Sequence, residues 1–197
     1  MRPIAYVRLA LWVVVALLAG ATAALYFLNT SGPIVASEAP YGTPFQLVDQ
    51  DGKPISDKDL RGRPAAIFFG FTHCPEVCPT TLAEMANFQN ELQKEGRRLP
   101  VYFVTVDPER DSPAVMKDYT SALSPDITGI TGDPATIAEM LKGWGIYARK
   151  VPQGDDYTMD HTASVFLLDA EGRLKGTIAY GEDPASALDK LERLTAS

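Results

Sequence analysis

Basic residues are in the minority in this sequence, and glycine-rich loops of the phosphate-binding kind are missing. The 197 residues include 18 Lys or Arg against 25 Asp or Glu, which gives a net charge of −7. Proteins that bind nucleic acids usually present a basic patch, and nucleotides usually require a glycine-rich loop that cradles their phosphates. We therefore expect no nucleic acid and no nucleotide partner, and we attribute the acidic excess to ordinary solubility.

Charged residues are also missing from one long stretch near the N-terminus. From Leu9 to Leu28 the sequence contains no Asp, Glu, Lys or Arg. A helix of about 20 apolar residues can cross the hydrocarbon core of a bilayer. Arg2 and Arg8 precede the stretch, and basic residues favour the cytoplasmic side. We therefore expect a single-pass inner-membrane anchor over residues 1–28, with the rest of a bacterial protein in the periplasm.

A cleaved signal peptide is the alternative interpretation of this segment. Residues 21–23 (ATA) resemble a small-residue cleavage site. The apolar run continues beyond them through residues 25–28, which favours a retained anchor. No cysteine lies beside the segment, which argues against lipid attachment through an N-terminal cysteine. Residues 29–42 are rich in small residues, glycine and proline, and predict a linker to a folded domain over 43–197.

The folded domain alternates between strand and helix patterns. Continuous apolar runs indicate strands that are buried on both faces, and amphipathic runs indicate helices packed on them. The resulting order predicts an α/β protein with a central mixed sheet, and a thioredoxin-like fold fits it well. The predicted elements are a hairpin around residues 45–56, strands at 65–71, 101–106, near 127, 164–169 and 175–180, and helices at 79–95, from 112–113 onwards, at 134–142 and at 184–194.

Only two cysteines are present, Cys74 and Cys78, directly after the first buried strand. Their spacing places both sulfurs on one side of a helical turn. A helix N-terminus lowers thiol pKa values, so we expect both to become thiolates at a modest pH. A disulfide between them would close a loop of only a few residues and would remove little entropy from the unfolded chain. Metal binding or redox exchange explains the pair better than a structural disulfide does.

Thioredoxin-type oxidoreductases usually have a cis-proline in the segment beside the cysteine loop, and the cysteine loop of this chain comprises residues 72–79. This chain lacks a proline in the neighbouring segment. No proline lies between Gln153 and Ser164, and His161 occupies the segment instead. Three residues separate the cysteines, whereas thioredoxin-type oxidoreductases have two. Two thiolates and one imidazole suit copper or zinc. The residues favour a soft-metal site and leave a redox dithiol open.

Four other polar residues lie near these segments. We expect His73 to point away from the sulfurs, because it is adjacent to Cys74 at the strand exit. Asp160 is a candidate for orienting the neighbouring histidine ring. Asp107 and Arg110 fit turn and cap chemistry, and a docking role towards a partner is the alternative.

Three segments together resemble the Sco/SenC family, copper-binding factors that assemble cytochrome c oxidase. They are residues 72–79 (THCPEVCP), 105–113 (TVDPERDSP) and 160–162 (DHT). The resemblance covers about residues 40–195. It implies that Cys74, Cys78 and His161 are copper ligands, and that the recipient is the dinuclear CuA site of an oxidase subunit.

Two hypotheses follow from this set of residues. In the first, the protein is a metallochaperone, which holds a copper ion and passes it to the copper-containing oxidase subunit without being an enzyme. In the second, it is a thiol–disulfide reductase that uses Cys74 and Cys78 to keep the CuA-site cysteines reduced. Further candidate partners are a second periplasmic copper chaperone and a thioredoxin-like reductant.

Overall fold

The N-terminal part of the structure is one apolar helix. A computed structural model of the chain describes residues 3–30 and 39–196, which belong to two separate compact units. The first unit contains α1 (Pro3–Thr30). Its segment Tyr6–Ala24, with a mean hydropathy of 2.0, is long and apolar enough to cross a membrane. The predicted apolar N-terminal helix is therefore confirmed.

The predicted linker falls partly outside the described residues, which omit 31–38. Residues 29–30 end α1, and the second compact unit begins at Ala39. Tyr41 joins the start of this unit to the rest of it, because its backbone N–H donates to Gly172 O at 2.8 Å. Its hydroxyl also donates to the carbonyl oxygen of Trp144 at 3.1 Å.

The second unit is built on a mixed seven-stranded sheet in the order β2-β1-β5-β4-β3-β8-β9. The parallel pairs are β3 with β4 and β4 with β5, and the other neighbours are antiparallel. This is the predicted thioredoxin-like fold. Its elements are β1 (Gln46–Asp49), β2 (Pro54–Ser56), β3 (Ala65–Gly70), α2 (Val77–Lys94), β4 (Val101–Thr105), α3 (Pro113–Leu123), β5 (Ile127–Thr131), α4 (Pro134–Gly143), β6 (Ala148–Gln153), β7 (Asp156–His161), β8 (Ser164–Leu168), β9 (Leu174–Ala179) and α5 (Pro184–Thr195).

Three of the helices, α3, α4 and α5, begin with ordinary capping chemistry. The side chain of Ser112 accepts a hydrogen bond from the backbone N–H of Val115, and Pro113 occupies the first turn of α3, as the sequence predicts. Asp133 and Asp183 cap α4 and α5 in the same way. These caps fix where each connection leaves the sheet and enters a helix.

Strand β3 forms the centre of the core and carries the cysteine loop at its end. All six of its residues are buried, between β4 on one side and β8 on the other. Burying a phenylalanine such as Phe68 contributes about 1.5–3 kcal/mol, so this strand is strongly held. Phe68 is paired with Val165 of β8. The segment after β3 therefore lies beside the segment before β8, which brings the cysteine loop next to His161.

The sequence does not predict the two-stranded sheet formed by β6 and β7. Most of its residues are exposed or half-buried, so the apolar alternation that marks a half-buried strand is missing. Gly154, between the two strands, has φ of +63°, which favours glycine in the turn. His161 is thus the last residue of a strand and not part of a loop.

Candidate metal centre

Cys74 and Cys78 occupy different structural environments. Cys74 lies in the turn before α2 and is partly exposed, while Cys78 lies in the first turn of α2 and is fully buried. The expectation that both lie on one helical turn is wrong, because the helix begins only at Val77. The two are nevertheless in contact, since the backbone N–H of Cys78 donates to Cys74 Sγ at 3.4 Å. The sulfur of Cys74 thus satisfies one of the unpaired N–H groups at the helix start.

The two thiols have opposite acidities. A hydrogen bond from the Cys78 thiol lowers the pKa of Cys74, and contacts with His161 and with the backbone N–H groups of Cys78 and Glu76 lower it further. The same thiol–thiol hydrogen bond and burial raise the pKa of Cys78. The expectation that both become thiolates at a modest pH is therefore wrong for Cys78, because a second negative charge beside the first is disfavoured.

The imidazole of His161 faces the thiols. Its Nε2 lies 3.8 Å from Cys78 Sγ, and its Nδ1 lies 2.9 Å from the carbonyl oxygen of Thr162. A carbonyl can only accept, so Nδ1 carries a proton, and in the neutral imidazole Nε2 is the nitrogen that is free to bind a metal. The ring is also held edge-on against Phe71 and Phe68, with centroids 5.7 and 6.3 Å apart.

The Thr162 carbonyl takes the orienting role that the sequence suggested for Asp160. The Asp160 carboxylate instead lies 3.7 Å from the guanidinium of Arg149, and both side chains are more than half exposed. Asp160 follows the alternation of β7 and points away from its neighbour His161. A hydrogen bond from the distal ring nitrogen to a carbonyl is a usual way to fix a metal-binding histidine.

The separation of the donor atoms fits a metal with short bonds to sulfur and nitrogen. With bond lengths of roughly 2.3 Å to sulfur and 2.0 Å to nitrogen, the 3.8 Å between Cys78 Sγ and His161 Nε2 corresponds to an angle of about 120° at the ion. Across residues 3–30 and 39–196, no group of three Cys, His, Asp or Glu side chains is close enough to form a complete metal site. The geometric basis for considering Cys74, Cys78 and His161 as ligands is therefore two pairwise contacts, Cys78 N–H with Cys74 Sγ and Cys78 Sγ with His161 Nε2.

Gly70, the last residue of β3, allows the close approach of Cys78 to the sheet. A Cβ at this position would lie 2.7 Å from Cys78 Sγ and 2.8 Å from Cε2 of Phe103. Both distances are below van der Waals contact, so a larger residue here would displace the thiol. The sequence analysis did not single out this glycine, because its role depends on a contact that only the fold creates.

The cysteine loop is fastened to the core through a buried carboxylate. Asp111 accepts hydrogen bonds from the backbone N–H of Thr72 at 3.1 Å and from its hydroxyl at 2.6 Å. The hydroxyl of Thr105 donates to the same carboxylate at 2.6 Å. Burial raises the pKa of Asp111, and the hydrogen bonds from Thr105 and Thr72 oppose that rise. As expected, the His73 side chain points away from the two cysteine sulfurs, and its Nδ1 lies 3.1 Å from the hydroxyl of Thr72.

Asp107 and Arg110 are structural rather than exposed docking charges. The Asp107 side chain is fully buried, the Arg110 side chain is 17% exposed, and they form an ion pair with each other. Tyr157 of β7 donates its hydroxyl to Asp107 at 2.8 Å. The docking role considered from the sequence is therefore not supported, and Tyr157 is a contact that the sequence analysis missed.

Comparison with known proteins identifies the relatives of the chain. A family model described as SCO1/SenC matches residues 35–196. The SCO2-like protein of Rickettsia felis is 32% identical over 192 residues, covering 91% of this chain and 94% of that protein. Mitochondrial SCO1 of Saccharomyces cerevisiae is 36% identical over 154 residues, covering 76% of this chain. The chain spans about half the length of the yeast relatives, 52% of SCO1 and 51% of SCO2.

Solved structures agree with these relatives. The copper-bound structure of Bradyrhizobium japonicum ScoI is 46% identical, with a TM-score of 0.72, and the match covers 78% of this chain and 99% of that one. BsSco, a member of the Sco family of cytochrome c oxidase assembly proteins in which a disulfide switch was identified, is 25% identical. Its TM-score is 0.64, with 81% of this chain and 95% of that one covered. The family match extends over most of the sequence, so the chain belongs to the SCO1/SenC family.

Proposed function

We propose that this protein is a copper metallochaperone that delivers copper to the CuA site of cytochrome c oxidase during its assembly. Cys74, Cys78 and His161 are the proposed copper ligands. The observation that carries the proposal is the 3.8 Å contact between Cys78 Sγ and His161 Nε2, with the ring fixed by its other nitrogen. The copper-bound ScoI relative and the oxidase-assembly role of the Sco family support the choice of metal and recipient.

The unequal exposure of the ligands suits transfer by ligand exchange. Cys74 is partly exposed, whereas Cys78 is buried behind it. A thiolate of the recipient can therefore approach the copper from the side of Cys74 and replace that ligand first, while Cys78 and His161 still hold the ion. Soft thiolate ligands on both proteins match the preference of Cu(I).

Copper binding by ligand variants tests this proposal. Cu(I) is titrated into the reduced full-length protein in competition with a chelator. We expect His161→Ala to lower the affinity by at least the roughly 10–100-fold that is typical for loss of a residue that only supports a ligand. His73→Ala is the matched control and is expected to bind as the unmodified protein does. Equal affinity in His161→Ala and the unmodified protein would contradict the ligand assignment.

A thiol–disulfide reductase is the second candidate, favoured by the opposite acidities of the two cysteines. The Cys74 thiolate would attack a disulfide of the oxidase subunit and release one partner thiol. The Cys78 thiol would then resolve the mixed disulfide, giving a Cys74–Cys78 disulfide and the second partner thiol. An external dithiol must then supply two electrons to reduce the Cys74–Cys78 disulfide. This activity should survive His161→Ala and vanish in Cys74→Ser, which separates it from copper binding.

The proposed location is the inner membrane, with α1 as a retained single-pass anchor over residues 1–28. Residues 29–42 would act as the linker and 43–197 as the copper-binding domain in the periplasm. The apolar composition of α1 and the two arginines near its start support this orientation. Added protease should cleave the domain in spheroplasts of a bacterial host, and protection of the domain there would contradict the orientation.

A further inference from the structure

The strand that carries His161 is not part of the main sheet. β7 pairs with β6 in a separate two-stranded sheet, whose side chains are mostly exposed or half-buried. A two-stranded hairpin alone is marginally stable in water. Contacts between this hairpin and the rest of the domain must therefore determine where His161 lies relative to the thiols.

Arg110 makes several of these contacts. Its Nη1 donates to the carbonyl oxygen of Tyr157 at 3.0 Å and to Oδ1 of Asp156 at 3.3 Å. Its Cζ lies 3.8 Å from the centroid of the Tyr157 ring, and 5.9 Å from that of Phe71 beside the cysteine loop. One guanidinium group thus lies between the hairpin and the segment that leads to Cys74.

Asp107 also attaches the hairpin to the main sheet. Its carboxylate accepts hydrogen bonds from the Arg110 Nε and, at 2.8 Å, from the Tyr157 hydroxyl. Its backbone N–H is held by the hydroxyl of Thr105 at 2.8 Å, at the end of β4. The arginine and tyrosine are therefore tied through one buried carboxylate to a strand of the main sheet.

Residues 107–111, which we call the bridging loop, also hold the cysteine loop. Within the bridging loop, Asp107 and Arg110 bind Tyr157, four residues before His161, and Asp111 binds Thr72, two residues before Cys74. The bridging loop is thus in direct contact with both segments that carry the proposed ligands.

We propose that Arg110, with Asp107, is a positioning residue that sets the distance between His161 and the two thiols by holding Tyr157. The proposal rests on the proposed function, since it assumes that His161 is a copper ligand. Arg110 itself touches no ligand atom, and it acts on copper only through the hairpin. The planar guanidinium is suited to this role, because it stacks on the ring while its N–H groups bind oxygen on either side.

The test compares Arg110→Gln and Tyr157→Phe with the unmodified full-length protein. Tyr157→Phe removes only the hydroxyl bond to Asp107 and keeps the ring, so it remains informative if Arg110→Gln folds poorly. We expect Arg110→Gln to lower Cu(I) affinity by about 10-fold, at the low end of the range for residues that support metal ligands. In the Cu(II)-bound form, nitrogen hyperfine coupling from the imidazole should weaken while the thiolate charge-transfer bands persist.

A double-mutant cycle separates positioning from a general loss of stability. If Arg110 acts through His161, then Arg110→Gln should lower copper affinity no further in a His161→Ala background. A purely structural role would lower affinity by the same factor in both backgrounds and would overturn the proposal. Amide exchange in the reduced, copper-free protein should become faster in residues 148–162 of Arg110→Gln and should stay unchanged in β3.

Lys150→Gln is the matched control. Lys150 also joins the hairpin to the bridging loop, through Glu109 at 2.5 Å, and its Nζ lies 4.5 Å from the centroid of the Tyr157 ring, but the Lys150 and Glu109 side chains are both roughly half exposed. An exposed pair contributes little, so we expect unchanged affinity and spectrum. If His161→Ala binds copper normally, the proposed function and this inference both fail. If His161→Ala is impaired while Arg110→Gln and Tyr157→Phe are normal, only the inference fails.

Discussion

The two halves of the candidate site are built in different ways. The cysteine loop follows β3, whose six residues are all buried and whose edges are hydrogen-bonded to β4 and β8. The histidine ends β7, in a two-stranded sheet of mostly exposed and half-buried residues. The strand that precedes the sulfurs is therefore held by apolar burial, with Asp111 fastening the loop after it. The hairpin that carries the imidazole has no such buried strand and depends on polar contacts from the bridging loop, while the rings of Phe68 and Phe71 pack against the imidazole itself.

Because of this difference, substitutions in the two halves of the site should have different effects. A change in the buried half should disturb the whole fold together with the thiols, because close-packed cores transmit changes in volume. A change in the hairpin half should move the imidazole and leave the main sheet intact. The following predictions test that contrast, from the largest expected effect to the smallest.

Replacement of Gly70 should damage both the fold and the thiols. The added Cβ of Gly70→Ala would lie 2.7 Å from Cys78 Sγ and 2.8 Å from a ring carbon of Phe103. Overpacking of a dense core typically costs about 1–3 kcal/mol, so we expect the free energy of unfolding to fall by that amount. Denaturant unfolding measures it, and copper titration should show weaker binding because Cys78 has shifted.

Gly176→Ala is the control for Gly70→Ala, since Gly176 also lies in a strand, β9, but no atom lies within 4 Å of the added Cβ. We expect a change within about 0.5 kcal/mol. Equal losses of stability at the two glycines would show that the close approach of Cys78 to the sheet is not what requires glycine at position 70.

Reactivity of Cys74 should depend on the thiol of Cys78. The hydrogen bond from Cys78 lowers the pKa of Cys74, so the thiolate persists well below the pH at which an ordinary thiol is protonated. We expect the rate of Cys74 alkylation to change little between about pH 6 and 8, whereas that of a free thiol of pKa about 8.5 rises roughly tenfold per unit over most of that range. Iodoacetamide labelling followed by mass spectrometry measures both rates.

Two substitutions of Cys78 identify the cause of this low pKa. Cys78→Ser keeps a hydrogen-bond donor beside the Cys74 sulfur, while Cys78→Ala removes it. We expect the pKa of Cys74 to rise more in the alanine variant, so that its alkylation slows further at pH 6. Equal alkylation profiles in the two variants would assign the low pKa to the backbone N–H groups and His161 instead.

The contrast between the halves also explains how much could be predicted from sequence. The apolar run of β3 and the spacing of Cys74 and Cys78 mark a strand followed by a chemical site, and both are local signals. His161 could be selected because it stands where a proline is usual in this fold. The family resemblance then named copper.

Other features depend on contacts between distant segments and leave no local pattern. β6 and β7 carry charged and polar residues, and their pairing becomes visible only in the fold. The link from Arg110 to Tyr157 spans 47 positions, and the link from Thr72 to Asp111 spans 39. The acidities of the thiols depend on the hydrogen bond between the two sulfurs and on the burial of Cys78, and both require the geometry of the folded loop.

The turn of the hairpin should give the smallest effect. Gly154 has φ of +63° and no atom within 4 Å of an added Cβ, so Gly154→Ala introduces backbone strain alone, at a cost of about 1 kcal/mol. Gly52→Ala, in the turn between β1 and β2, introduces the same strain at φ of +76° without a neighbour. We expect both variants to lose about 1 kcal/mol or less in denaturant unfolding.

Only Gly154→Ala should speed amide exchange in β6 and β7 and lower copper affinity, by about two- to threefold, because the hairpin holds the imidazole. A loss of main-sheet protection in Gly154→Ala would mean that the hairpin and the core unfold as one unit, and that the two halves of the site are not held independently.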